Sequence, residues 1–85
     1  MEIFYVSGFT RASKKLSADV KEKADSAIEI FKNNPTDVRL HLHKLHGRFA
    51  DYWAFSIDFK YRIIFRYSQT DEIVLMFIGD HAIYD

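Results

Sequence analysis

The stretch "DYWAFSIDFKYRIIFRYSQTDEIVLMFIG", residues 51–79, decides the fold. It contains three runs rich in β-branched and aromatic residues, 51–58, 61–68 and 72–79. Only Phe59-Lys60 and Gln69-Thr70-Asp71 separate them. Connections this short join antiparallel neighbours, because a parallel pair needs a crossover of a dozen residues or more. A two-residue first turn sets Ile57 opposite Arg62, Phe55 opposite Ile64 and Trp53 opposite Arg66. A second turn centred near Thr70 sets Ile78 opposite Arg62. Alternation then sorts the side chains into two faces. Ala54, Ile63, Phe65, Ile73, Leu75 and Phe77 form the face expected to lie under helices. The other face mixes Trp53, Phe55, Ile57, Ile64, Val74, Met76 and Ile78 with Arg62 and Arg66. A face both apolar and arginine-bearing is seldom left bare, so it reads as a binding surface or as ground covered by another segment.

Upstream of the meander, "EIFYV" (2–6) is a short strand. In 8–16, Phe9, Ala12 and Leu16 lie on one helical face. Ser17 is an N-cap candidate for a second helix, with Asp19 in its first turn. Over 18–33, Val20, Ala24, Ala27, Ile28 and Phe31 share one side, while Lys21, Glu22, Asp25, Glu29 and Lys32 share the other. "NNPTD" with Pro35, the single proline, stops that helix. The segment "VRLHLHKLHGRF" (38–49) alternates like a strand but carries Gly47 and three histidines, and reads as a loop or edge segment. The order predicts an α+β domain: two N-terminal helices packed on one face of a mainly antiparallel, twisted sheet.

The chain of 85 residues is read as one domain, 1–85. It has no cysteine, which excludes disulfides and thiolate metal sites and suits a reducing cytoplasm. "MEIFYVSGF" lacks the basic start and apolar run of a signal peptide, and no stretch is apolar enough to span a membrane. Net charge is zero but uneven: residues 39–66 carry six Lys and Arg against two Asp, and three of the four histidines. That middle segment can face an anion while the rest, net negative, does not.

The chain closes on "GDHAIYD" (79–85), an imidazole and a phenol just past a strand. Together with "HKLHG" (43–47) and "KYRIIFRY" (60–67), this end resembles the RelE/ParE superfamily of bacterial toxins, the toxin halves of type II toxin–antitoxin pairs. The resemblance covers nearly the whole chain in order and length. It implies an endoribonuclease that cuts messenger RNA in the ribosomal A site. It also implies Arg62 of the "YR" pair on the scissile phosphate, His43 of "HKLHG" and His81 of "GDH" as site histidines, and Tyr84 as the C-terminal aromatic near the cleaved nucleotide. Two departures stand out. Trp53 and Phe55 occupy positions where RelE-like members carry lysines. Ser56 and Lys60 occupy positions where the YafQ-like branch has a further histidine and an aspartate.

RNA supplies its own nucleophile, the 2′-OH. The protein must take that proton, neutralise the phosphate and protonate the leaving oxygen. Histidine serves as acid or base near neutrality, and a guanidinium holds two phosphate oxygens at once. The expected assignment is Arg62 on the phosphate, His81 as general acid, and His43 or His46 as general base. Lys44, Arg48, Lys60 and Arg66 are expected on backbone phosphates, and Tyr84 on a base. No cofactor and no metal is required; His41 and His43 could point the same way, but a complete ligand set is not evident. The expected partners are a cognate antitoxin and mRNA, with no membrane, and the chain alone is expected to be a monomer. Two alternatives share the resemblance: a ParE-like inhibitor of DNA gyrase, and a catalytically degenerate toxin that only binds its antitoxin.

Overall fold

In the computed structural model, which describes residues 1–80, β1 (Glu2–Tyr5) leads into α1 (Ser7–Lys14) and α2 (Ala18–Asn33). After a short 3-10 turn at Val38–Leu40 come the two-residue β2 (His43–Lys44) and a second such turn at Gly47–Phe49. β3 (Trp53–Ser56), β4 (Tyr61–Gln69) and β5 (Glu72–Asp80) complete the described chain. The sheet runs β1-β5-β4-β3-β2, with β1 parallel to β5 and every other pair antiparallel. The crossover that a parallel pair needs is the whole of the intervening chain, including both helices. No helix among the described residues is long and apolar enough to cross a membrane.

Local chemistry sets the helix limits. The Ser17 hydroxyl accepts from the Val20 amide at 3.3 Å and caps α2, with Asp19 in the positive first turn. At the other end Asn34 is extended and Pro35 follows, so the helix cannot continue. The buried positions of α2 are Val20, Ala24, Ala27, Ile28 and Phe31, the side that the sequence pattern assigns to the core.

Phe31 anchors that core. It is wholly buried, stacks on Phe55 at 4.7 Å between ring centroids, and meets Phe65 edge-on at 5.0 Å. Ile63, Ile73, Leu75 and Ile78 surround the three rings from the sheet, and Leu40 closes them from the first 3-10 turn. On the opposite face a smaller cluster joins Leu45, Ala54 and Ile64, flanked by Phe49, Tyr52 and Met76. The segment at 38–49 therefore wraps the sheet edge, giving Leu40 to one face and Leu45 to the other.

Two registers differ from the sequence expectation, and both reverse faces. In the first hairpin Ser56, not Ile57, pairs with Arg62, and Phe55 pairs with Ile63. The loop between the paired Ile57 and Tyr61 holds three residues, 58–60, because the Asp58 carboxylate accepts from both the Lys60 and Tyr61 amides at 2.8 Å. The Ile57 amide closes the loop on the Tyr61 carbonyl at 3.0 Å. The one-residue slip turns Trp53, Phe55 and Ile57 toward the helices and Ala54 and Ser56 away. In the second hairpin, Phe65 pairs with Leu75 but Ile64 with Phe77, so Met76 is the extra residue of a bulge. Beyond it Ile78 enters the core, Phe77 faces out, and Gly79 takes the place opposite Arg62.

Removing the anchor ring should cost most. Phe31→Ala is expected to lower unfolding stability by about 3–5 kcal/mol, a large share of the roughly 5–15 kcal/mol typical of such a domain. Urea titration should show a lower midpoint at unchanged slope. A loss below about 1 kcal/mol, well under the range for a large aromatic core truncation, would show that the three-ring cluster is not the centre of the core.

Candidate functional site

The face of the sheet turned away from the helices carries the chemistry. Cross-strand pairing aligns His43 with Ala54 and Ala54 with Ile64, while one step along, Ser56, Arg62 and Gly79 form a row. Arg62 is thus flanked by a serine and a glycine on the neighbouring strands. A groove of about 500 Å³ opens there, lined by Arg39, His41, His43, Ser56, Asp58, Phe59 and Arg62. Two of the sequence-predicted residues, Arg62 and His43, thus share one concavity although 19 positions separate them in the chain.

Each is held by backbone. The Arg62 Nη1 donates to the carbonyls of Asp58 at 2.8 Å and Tyr61 at 3.1 Å, which pins the guanidinium to its own turn. The turn is pinned in its turn by Lys23 of α2, whose Nζ lies 3.6 Å from the Asp58 carboxylate. Burial pushes the Asp58 carboxyl up, but the Tyr61 and Lys60 amides and the Lys23 charge together hold it below the usual carboxylate range.

The His43 ring sits 2.9 Å, through Nδ1, from the carbonyl oxygen of His41. A carbonyl oxygen only accepts, so Nδ1 carries the proton in this bond and the neutral ring keeps its lone pair on Nε2. Geometry for that bond comes from His41, whose φ of 48° is left-handed, a conformation few non-glycine residues adopt. Such strain tends to persist where a site requires it. Arg39 also lines the groove, but its fork is occupied: Nε and Nη2 reach the two Asp37 oxygens at 3.0 and 2.8 Å. The Arg39 side chain and amide hold the Asp37 carboxyl down to about 2.

Other sequence-predicted residues lie elsewhere. His46 precedes the Gly47–Phe49 turn and does not line the groove, and Arg48 rests 5.3 Å from the centre of the Phe49 ring. Lys44 is exposed on β2, and Lys60 turns onto Tyr61, its Nζ 5.4 Å from the ring centre. Arg66 shares the face of Arg62 but sits four residues along β4, roughly 13 Å away at strand rise. His81 and Tyr84 lie outside the described residues. Among the described residues no three His, Asp or Glu side chains converge as a metal site. Sequence reasoning passed over Asp58 and weighed His41 only as a metal ligand. The sign for Asp58 was an aspartate one residue into the turn, where it accepts amides two and three residues on.

No protein-family model matches this chain, and no curated protein matches it. Solved structures do. YafQ from E. coli superposes with a TM-score of 0.80 at 17% identity, over 96% of this chain and 94% of that one. A YoeB/ParE toxin from Agrobacterium tumefaciens gives 0.78 at 20%, over 95% and 99%. The toxin in a RelB–RelE antitoxin–toxin complex from Methanococcus jannaschii gives 0.73 at 20%, over 96% and 95%. The chain shares the fold of these structures along nearly the full length of each.

Asp58 is the post that carries Arg62. Asp58→Ala removes the acceptor of two amides and is expected to cost about 1.5–3 kcal/mol, the range for hydrogen bonds to a charged group. Because the folded carboxyl titrates below its unfolded value, this stability is present above about pH 4 and fades as pH falls below that, through the lower folded value. Denaturant melts of wild type and variant at neutral and acid pH should therefore diverge at neutrality and converge in acid. A gap that stays constant down to pH 2 would assign the effect to something other than the carboxylate.

Proposed function

We propose that this chain, which carries the fold of the YoeB/ParE, YafQ and RelE toxins, is the toxin of a type II toxin–antitoxin pair and cuts mRNA on the ribosome. The observation that carries the proposal is the groove that Arg62 and His43 both line. A guanidinium and an imidazole in one groove can neutralise a phosphate and accept a 2′-OH proton without a metal.

The reaction proceeds by attack of the ribose 2′ oxygen on the adjacent phosphorus. His43, through Nε2, takes the 2′-OH proton as the O2′–P bond forms. The P–O5′ bond breaks, and its electron pair stays on O5′, which takes a proton from the general acid. The products are a 2′,3′-cyclic phosphate and a free 5′-OH. Arg62 neutralises charge on the non-bridging oxygens, where preorganised donors act most strongly. Its tether to the Asp58 and Tyr61 carbonyls means that little reorganisation is needed. The groove favours His43 over His46 as base. His81 is the proposed acid and Tyr84 a proposed base-stacking residue. Lys44, Arg48, Lys60 and Arg66 are proposed to steer flanking phosphates.

A cognate antitoxin is the proposed partner, by analogy with the RelB–RelE complex and with DinJ–YafQ from E. coli. The apolar end of the open face, where Phe49, Tyr52, Ile64, Met76 and Phe77 line a hollow of about 310 Å³, suits an amphipathic segment that folds on binding. Activity on the ribosome implies work in the cytoplasm.

Induced expression followed by primer extension on cellular mRNA tests the reading. Wild type should give discrete cuts within coding frames. Arg62→Ala and His43→Asn should each reduce cutting by about 10²–10⁴, the usual worth of a positioned catalytic group. Asparagine keeps an N–H near the place of Nδ1, so the His41 contact survives while Nε2 is lost. Cutting by Arg62→Ala at the wild-type level would end the nuclease proposal. Growth arrest with intact messages and DNA damage would point to gyrase instead.

A further inference from the structure

Phe59 occupies an unusual place for a large apolar ring. It sits at the apex of the Asp58–Lys60 loop and is 89% exposed, whereas Phe9, Phe31, Phe55 and Phe65 are all buried. An exposed hydrophobe is ordinary on any surface. This one lines the same groove as Arg62 and His43. The volume of that groove falls in the range of ordinary ligand clefts, about 300–1,000 Å³.

The turn that bears the ring is stiff. Asp58 binds the two amides that follow Phe59, Lys23 holds the Asp58 carboxylate from α2, and Arg62 grips the Asp58 carbonyl. The backbone bond that places the guanidinium therefore also places the ring, since residues 58 and 59 are adjacent. A ring carried on a fixed turn needs little ordering when a ligand arrives, which favours binding.

We propose that Phe59 is a stacking platform for a nucleobase of the single strand whose phosphate rests on Arg62. The inference builds on the nuclease reading and adds a positioning residue to it. A phosphate held by one guanidinium leaves the strand free to swivel about that point. A base laid on a ring one turn away removes that freedom and aims the 2′-OH at His43. Every base has a π-face, so the contact is sequence-tolerant: Phe59 sets affinity and alignment, not which base is chosen.

The test is cleavage of a defined message in a reconstituted translation mixture, with protein concentration varied. Phe59→Ala and Phe59→Leu should raise the half-saturating concentration by about 5- to 150-fold, the worth of one base–aromatic stack. Phe59→Trp should behave like wild type. Leucine keeps an apolar side chain, so it separates stacking from simple burial against a protein surface. The residue is exposed, and unchanged circular dichroism should confirm that each variant folds. If Phe59→Leu matches wild type while wild type cuts and Arg62→Ala does not, the stacking role is overturned and the nuclease reading stands. If wild type itself does not cut, the reading falls and the inference falls with it.

Discussion

The Asp58 carboxylate controls more of this molecule than any other single group. One oxygen accepts two successive amides and fixes the three-residue loop, 58–60, that Ile57 and Tyr61 close. That turn sets the β3–β4 register, and the register decides which side chains face inward. With it, Phe55 stacks on Phe31 in the core and Ser56 lies beside Arg62 on the open face. A shorter turn would exchange those roles along the whole strand, because side chains alternate with a period of two. The same residue's carbonyl then holds the Arg62 guanidinium. Core packing and site geometry are thus set by one turn.

The second constraint is the bulge at Met76. It bends β5, brings Ile78 into the core, and sets Gly79 across from Arg62. Arg62 thus has Gly79 across from it on one strand and Ser56 on the other. The open face is consequently divided. At one end small residues surround charged and imidazole groups; at the other, Leu45, Ala54 and Ile64 with their aromatic flank make an apolar patch. One end suits an anion and the other an apolar segment of a protein.

Much of the fold was legible because it rests on periodicity. The buried face of α2, the Ser17 cap, the stop at Pro35 and the three-stranded meander all follow from local patterns. The register was not legible by counting, since it depends on a side chain that captures backbone amides and on a bulge with no glycine to mark it. Trp53, Phe55 and Ile57 were therefore assigned to the wrong face, as were Ala54, Phe77 and Ile78. Arg62 and His43 were legible as candidates through short motifs, and their meeting in one groove is a tertiary fact. His41 was weighed only as a metal ligand, because its contribution here is a left-handed backbone and a carbonyl, neither of which a sequence displays.

The central claim is that Arg62 and His43 face one phosphodiester. Two-dimensional NMR of the protein titrated with a short single-stranded RNA, its 2′ hydroxyls methylated to prevent cutting, addresses this directly. The account predicts that the Arg62 guanidinium and His43 imidazole resonances shift together, with one saturation curve, while α1 and the outer side of α2 stay still. Shifts confined to the helices, or saturation of one site residue without the other, would contradict it.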